Sequence, residues 1–307
     1  MTRLPRSACG RRLAVATLLA AGALHAEEAN PGVAVDRLQP AVGPASLVAV
    51  EGAAVTKPGA VSWAASLGLV HDPITLRQAF TGALVTRPVR DQLVADVALE
   101  FGIWKRLAVA VAAPIVLYQD GDRLQGTGVD ERPLAATVAG DVRVRIKGQL
   151  VGDAMRPGLH ASLLVQVTAP TGGRQDFAAT DGATVEPRLV VDARLGRVTL
   201  AASLGARFQK ERALFFTRFG DELTWSAAAA VALVERTRLG LSAIVEGAGA
   251  VGPSTGTRPA ELRGALRLAL ARGFVVDAGA GGGLDRDVGA PAWRVFVVGR
   301  GSLPLAR

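Results

Sequence analysis

From residue 60 onward, apolar residues recur at every second position in twelve segments of about ten residues each. A period of two is the period of a β-strand. Roughly 9–11 residues of tilted strand is also what a membrane crossing takes. The stretch GDVRVRIKGQLVGD (140–153) is the sharpest case, because Arg143, Arg145 and Lys147 alternate there with Val142, Val144 and Ile146. In QLVADVALEFGI (92–103), Leu93, Ala95, Val97, Leu99 and Phe101 share one face, and Asp96 and Glu100 lie on the other. In RLAVAVAAPIVLY (106–118), Leu107, Val109, Val111, Ala113, Ile115 and Leu117 line up together.

The spacing of these segments adds independent information. Five connections are short, around 104–105, 152–157, 196–197, 235–237 and 272–273. Six are longer, 71–91, 119–139, 171–183, 210–222, 248–259 and 285–291, and long alternates with short throughout. Outer-membrane barrels have short periplasmic turns and long external loops. Charge parity agrees: Asp96, Glu100, Arg143, Arg145, Lys147, Glu186, Arg188, Asp192, Arg194, Arg207, Arg263 and Arg267 all fall on the face opposite the apolar one. A charge turned to lipid at mid-bilayer costs ~2–4 kcal/mol, so such segregation is what a membrane barrel needs. A soluble two-sheet protein could show the same parity, and the loop alternation and the N-terminus decide between the two. The chain is 50% hydrophobic with a mean hydropathy of +0.30, yet beyond its first residues it has no apolar run long enough for a helical span. The expectation is an all-β transmembrane antiparallel β-barrel of about 12 strands over residues 60–307, with short periplasmic turns and long extracellular loops.

The first residues, MTRLPRSACGRRLAVATLLAAGALHAEEA, place Arg3, Arg6, Arg11 and Arg12 before a short apolar core, Leu13 to Ala23. This is the pattern of a Sec-type secretory signal over residues 1–26, with cleavage near Ala26 or Ala23. The single cysteine, Cys9, precedes the apolar core, so the mature chain is expected to have no disulfide, cysteine metal site or thiol chemistry. Residues 27–59 break the strand pattern with Pro, Gly and Ala. They read as a partly ordered periplasmic leader, a strap, a lumen plug or an extra pairing segment. The net charge of +8 is spread along the chain without a polybasic block, which argues against nucleic acid as a partner.

Several residues stand out as candidates. Arg143, Arg145 and Lys147 are a candidate anion-attracting stripe in a pore. The competing reading is an internal ion-pair network with Asp96, Glu100, Glu186 and Asp192, since small barrels often fill their lumens with side chains. Trp63, Trp104, Tyr118, Trp225 and Trp293 sit beside turns or loops, where amphipathic rings favour the membrane interface. His160 and Ser162 form H-x-S on one strand face, which resembles the pair in outer-membrane phospholipase A. Here parity turns both inward near a short turn, and a nucleophile would also need an orienting partner and an oxyanion site. No catalytic residue is expected. His71 beside Asp72 lacks further ligands, and GAGGGL (279–284) lacks the residues of a phosphate loop, so neither a metal nor a cofactor is expected.

The stretch RLQPAVGPASLVAVEGAAV, followed by WAASLGLVHDPITL, resembles the N-terminal barrel region of OmpA-like outer-membrane proteins of the myxobacterial type. FGIWKRLAVAVAAPIVLYQDGD is similar to a hairpin of that group, and VTAPTGG resembles a strand end in phenol-degradation-associated barrel transporters. The resemblance implies a bacterial outer-membrane barrel with possible solute transport. No OmpA-like peptidoglycan-binding domain is expected after the barrel, so cell-wall anchoring is not expected to carry over; GRGSLPLAR lacks the terminal aromatic common in barrels that finish on their last strand, which bears on how the assembly machinery reads the chain. The expected partners are outer-membrane lipid, the barrel-assembly machinery and a small polar or anionic solute. The expected function is a passive channel with weak anion preference. The alternatives are a closed structural or surface-interaction barrel and, remotely, a lipid-active enzyme using His160 and Ser162.

Overall fold

A computed structural model of the chain describes residues 32–78, 81–125, 132–153, 156–214, 217–236, 239–270 and 273–305. The signal segment and its cleavage points lie outside the described residues. Twelve long strands make up the wall: β1 (Ala60–Arg77), β2 (Leu84–Trp104), β3 (Leu107–Asp120), β4 (Val142–Val151), β5 (Gly158–Ala169) and β6 (Thr184–Leu195), then β7 (Val198–Arg207), β8 (Glu222–Arg236), β9 (Leu239–Val251), β10 (Ala260–Leu270), β11 (Val275–Gly283) and β12 (Trp293–Pro304). Each strand pairs antiparallel with the next. β1 also pairs with β12, from Ala60 opposite Pro304 to His71 opposite Trp293, and this closes the barrel. Closure leaves no unpaired sheet edge, which is the condition for strands to sit in hydrocarbon.

The alternation read from the sequence sets the two faces of the wall. On β2, Gln92, Asp96, Ala98 and Glu100 are buried, whereas Val97, Leu99 and Phe101 are exposed. On β4, Arg143, Arg145 and Lys147 are buried, and Val144 and Ile146 are exposed. The charged face therefore points into the lumen and the apolar face points outward. The outward residues form a continuous belt of Leu and Val around the barrel, far larger than the apolar patches that a protein in water carries. That belt answers the charge pattern of β4: its apolar residues meet lipid, and its cations meet the interior.

Two connections differ from expectation. The segment 71–91 is mostly strand, because β1 continues to Arg77 and β2 begins at Leu84. The pairing there is irregular, with register shifts between His71 and Ile74 and again around Leu76. Pro73 and Pro88 each remove a ladder donor, which masks the strand period in the sequence. The segment 210–222 holds a small hairpin, Arg212–Leu214 against Thr217–Phe219. Helical structure among the described residues is confined to a 3₁₀ turn at Arg174–Asp176 and to Gly273, and no helix there is long and apolar enough to cross a membrane.

Candidate functional site: the filled lumen

Residues 32–59 run down the inside of the barrel. Their upper end meets the long-loop end of the wall. The Gly32 amide donates to the Arg174 carbonyl and the Val35 amide to the Phe177 carbonyl, both at 3.1 Å. Phe177 is fully buried and takes φ +60°, a left-handed conformation that is uncommon for a bulky residue. Asp36 pairs with Arg294 of β12 at 2.8 Å, and Arg37 with Glu222 of β8 at 2.8 Å. The chain then descends to Gly43, rises through Leu47–Val50, and descends again to Lys57. It enters β1 at the short-turn end, where Pro58 lies beside Gly102 of β2. A Cβ on Gly102 would collide with the Lys57 carbonyl, so only glycine lets the segment leave the lumen by this path.

This segment has little regular structure, and its backbone groups bond instead to wall side chains. Glu246 of β9 accepts from the Val48 amide at 2.5 Å and the Ala49 amide at 3.0 Å. Asp192 of β6 accepts from the Ala53 amide at 2.7 Å. Glu100 of β2 accepts from the Thr56 amide at 3.1 Å and the Thr56 hydroxyl at 2.6 Å. Arg267 and Arg300 donate to the Ser46 carbonyl at 3.0 and 2.9 Å, and Arg300 also donates to the Leu47 carbonyl. A buried amide or carbonyl without a partner is costly, so the lumen charges are what make a coil-like interior segment possible. Leu38, Leu47, Val48 and Val50 add an apolar contact with Ala201, Ala228, Ile244, Phe296 and Val298 of the wall.

The basic stripe on β4 is neutralised within this arrangement. Arg143 reaches past Ala112 of β3 and pairs with Asp96. Arg145 pairs with Glu51 at 2.8 Å, and Lys147 pairs with Glu51 at 2.9 Å and Glu100 at 3.2 Å. Glu51, from the interior segment, is thus shared by two wall cations. Glu186 and Asp192 do not meet the stripe. Glu186 pairs with Arg188 at 2.7 Å and Arg207 at 3.1 Å, because these share its end of the wall. Arg207 also meets Glu222 at 3.0 Å. Arg194 approaches Asp192 at 3.7 Å, and Arg263 approaches Glu246 at 3.8 Å. Arg267 holds Asp277 at 2.7 Å, and Arg300 pairs with the same carboxylate.

His160 and Ser162 both point inward. His160 Nδ1 lies 2.7 Å from Asp192, and its Nε2 lies 3.0 Å from the Asp153 carbonyl, so both ring nitrogens are engaged. The fully buried Ser162 hydroxyl makes no hydrogen bond. The imidazole is therefore not aimed at the serine, and the pair lacks the geometry of an activated nucleophile. Among the described residues no group of three His, Cys, Asp or Glu side chains is placed to hold a metal ion.

Trp63 packs against Phe274 near the short-turn end, with ring centroids 5.6 Å apart, and Trp104 there is 67% exposed. Near the long-loop end Tyr118 and Trp225 are exposed, and Trp293 stacks on His71 at 5.1 Å. All except the partly covered Trp63 face outward beside the ends of the apolar belt.

Small cavities flank the interior segment. One of about 110 Å³ lies toward the long loops, between residues 33–39 and a wall that includes Gln92, Asp96, Arg143, Gln166 and Phe177. A second, of about 90 Å³, lies on the other side of Arg37 and Gln39 against Glu186, Arg188, Arg207 and Glu261. Two more lie below, at Ala45 and Leu47 against Arg194 and Arg267, and at Gly43–Ser46 against Trp63 and Arg300. Residues 33–49 separate these spaces from one another.

Parity in the sequence could have identified more of this network. Arg300 is in phase with Arg294, and Glu261 is in phase with Arg263. Glu246 breaks an otherwise uncharged apolar segment. Asp36, Arg37 and Glu51 carry no such signal, because their segment has no period.

A solved outer-membrane channel from Pseudomonas putida F1 has a similar fold, with a TM-score of 0.57 at 13% identity, covering 81% of this chain and 97% of that one. A NanC porin structure matches with a TM-score of 0.48 at 5% identity, covering 78% of this chain and 98% of that one. The β-domain of the Bordetella autotransporter BrkA matches with a TM-score of 0.45 at 13% identity, covering 81% and 100%. No curated protein matches the chain. One family model matches residues 81–290, about two thirds of the chain, and supports the phenol-degradation side of the resemblance rather than the OmpA-like side. The chain belongs to that family, whose description is "Putative MetA-pathway of phenol degradation".

Proposed function

We propose that the protein is a bacterial outer-membrane channel for small polar solutes whose lumen is held closed by its own residues 32–59. The observation that carries this reading is the pinning of that segment by wall charges on several sides: Arg145 and Lys147 through Glu51, Glu246 through the Val48 and Ala49 amides, and Arg300 through the Ser46 carbonyl. A barrel that needed only a filled core could use packed apolar side chains. A segment held by ion pairs and backbone hydrogen bonds can be released, and the lumen it leaves is polar and lined by charge. The apolar outer belt supports placement in a bilayer, and the fold shared with a solved outer-membrane channel supports that membrane. Release of the segment would expose Arg145 and Lys147 to solute, since their shared carboxylate leaves with it. The stripe then becomes a weak anion-preferring element of the path. In this reading the cavity beside Arg37 is the first chamber met from the long-loop side.

Planar-bilayer recording tests it. The mature chain is expected to give rare or small openings, and a chain lacking residues 27–56 is expected to give stable steps whose reversal potential in a salt gradient favours chloride. Silence from the shortened barrel, after its insertion is shown by heat-shifted gel migration, would support a closed structural barrel instead. Ser162→Ala is expected to leave barrel stability and any lipase signal unchanged, because the hydroxyl makes no hydrogen bond. A loss of lipase activity on that substitution would restore the enzyme reading.

A further inference from the structure

We propose that the short-turn end of the barrel is a binding collar for anionic glycerophospholipid headgroups. The proposal rests on the membrane placement just given.

Four of the short turns carry exposed cations in the structure: Lys105 and Arg106 between β2 and β3, Arg156 between β4 and β5, Arg197 between β6 and β7, and Arg236 at the end of β8. Lys57 is exposed at the same end, where the interior segment joins β1. The fifth turn carries Arg272 in the sequence, outside the described residues. Two carboxylates stand among them, Asp153 and Glu235; Glu235 adjoins Arg236 and lines a cavity with Arg197, and makes no ion pair among the described residues. Asp153 pairs with Arg156 at 3.4 Å, but the two side chains are 56% and 82% exposed, so water screens the pair. Arg106 donates to the Leu150 carbonyl at 3.1 Å, which fixes the side chain and leaves its charge intact. Among the described residues no ion pair neutralises Lys105, Arg197 or Arg236.

The opposite rim is built differently. Arg87 pairs with Asp72 at 3.5 Å, Arg90 with Asp91 at 3.3 Å and with Asp120, and Lys210 with Asp181 at 3.0 Å. There many of the cations are answered within the chain, although Arg77, Arg218, Arg258 and Arg286 are exposed and make no ion pair among the described residues. At the short-turn end Lys105, Arg106, Arg156 and Arg236 are exposed, and Arg197 stands at the mouth of the cavity that Arg194 and Arg267 line.

Their depth identifies the partner. Trp104 adjoins Lys105, Leu195 lies two residues before Arg197, and Leu159 lies three after Arg156; all three are strongly exposed members of the apolar belt. At about 3.3 Å per strand residue, the cations stand within roughly 10 Å of the edge of the belt. That is headgroup depth, where phosphates lie. Anionic lipid attracts clustered Lys and Arg close to a bilayer surface, and the attraction fades within a Debye length. A ring of separate cations around the barrel fits a shell of individual lipids rather than a single docked partner.

The test uses the full mature chain in vesicles of equal phosphatidylglycerol and phosphatidylcholine content. Protein is released into mild detergent, and the retained lipids are counted by native mass spectrometry. The unmodified protein is expected to retain phosphatidylglycerol over phosphatidylcholine by roughly tenfold, and 0.5 M salt during release is expected to erase most of that ratio, with ~3–5 Å of screening length left. The combined variant Lys105→Gln, Arg106→Gln, Arg156→Gln, Arg197→Gln and Arg236→Gln is expected to approach parity while keeping heat-shifted migration. Arg87→Gln with Arg90→Gln, at the other rim, is expected to keep the full preference. Parity in the unmodified protein overturns the proposal, and so does a preference that survives in the five-site variant. If that variant does not fold, the salt arm on the unmodified protein decides. A chain that inserts into no bilayer overturns the membrane placement itself, and the collar with it.

Discussion

Glu51→Gln is expected to turn a mostly silent barrel into a frequently open one without unfolding it. Glu51 is 5% exposed and lies in the interior segment, not in the wall. Its two oxygens accept separately from Arg145 and Lys147. The amide of glutamine keeps the shape and removes the charge. Lys147 still has Glu100 at 3.2 Å, but the hydrogen-bond partners left to Arg145 are neutral: Gln166, Gln39 and the Pro40 carbonyl. Breaking one side of a buried pair costs about 3–5 kcal/mol, because the remaining charge is left uncompensated. Here the strain need not unfold the barrel, since the segment can move away and let water reach Arg145. A bias of that size shifts a closed–open equilibrium by roughly two to four orders of magnitude. Single-channel recording would show it as open probability, with step size close to that of the chain lacking residues 27–56. Asp91→Asn, at the rim beside His71 rather than against the segment, serves as the comparison and is expected to change nothing. Equal open probability in Glu51→Gln and the parent would mean that other contacts hold the segment.

The wall was far more legible in the sequence than the segment it encloses. Strand parity depends on one local fact, that alternate side chains face opposite ways, so lumen residues such as Asp96, Arg143 and Arg267 could be placed one strand at a time. Which cation meets which carboxylate depends on barrel curvature and on side chains reaching across strands. Arg143 passes over Ala112 to find Asp96, and neither the distance nor the route is encoded locally. Residues 32–59 show no period because their hydrogen bonds go to wall side chains rather than to a neighbouring strand. Their prolines and glycines look like a loose leader when read alone. Gly43 shows the difference: it adopts φ +102°, and a Cβ there would stand 2.5 Å from a Glu100 oxygen. What reads as flexibility in the sequence is a close approach of backbone to a buried carboxylate.

The second large effect is expected in the wall itself. Asp277 of β11 is fully buried and holds Arg267 of β10 through two hydrogen bonds, at 2.7 and 3.0 Å, together with Arg300 of β12. Asp277→Asn leaves two guanidinium groups facing each other without the carboxylate they share. Urea unfolding in detergent micelles is expected to show a loss of about 3–5 kcal/mol, the range for a buried pair that loses one partner. Deleting the interior segment is expected to reduce this penalty, because water then reaches the two guanidinium groups that residues 46 and 47 cover. Replacing all three together, Asp277→Leu with Arg267→Met and Arg300→Met, is expected to recover most of the loss, since no buried charge remains. The same triple variant should still open readily, because Arg267 and Arg300 are the donors that hold the Ser46 and Leu47 carbonyls. Barrel stability and closure would then separate in one set of variants. Stability would follow the balance of charge within the wall, and closure would follow the donors that the wall presents to the segment. A triple variant as unstable as Asp277→Asn would show that the arginines support the wall by packing as well as by charge. One that stayed closed would shift the hold on the segment to Glu246 and Glu51.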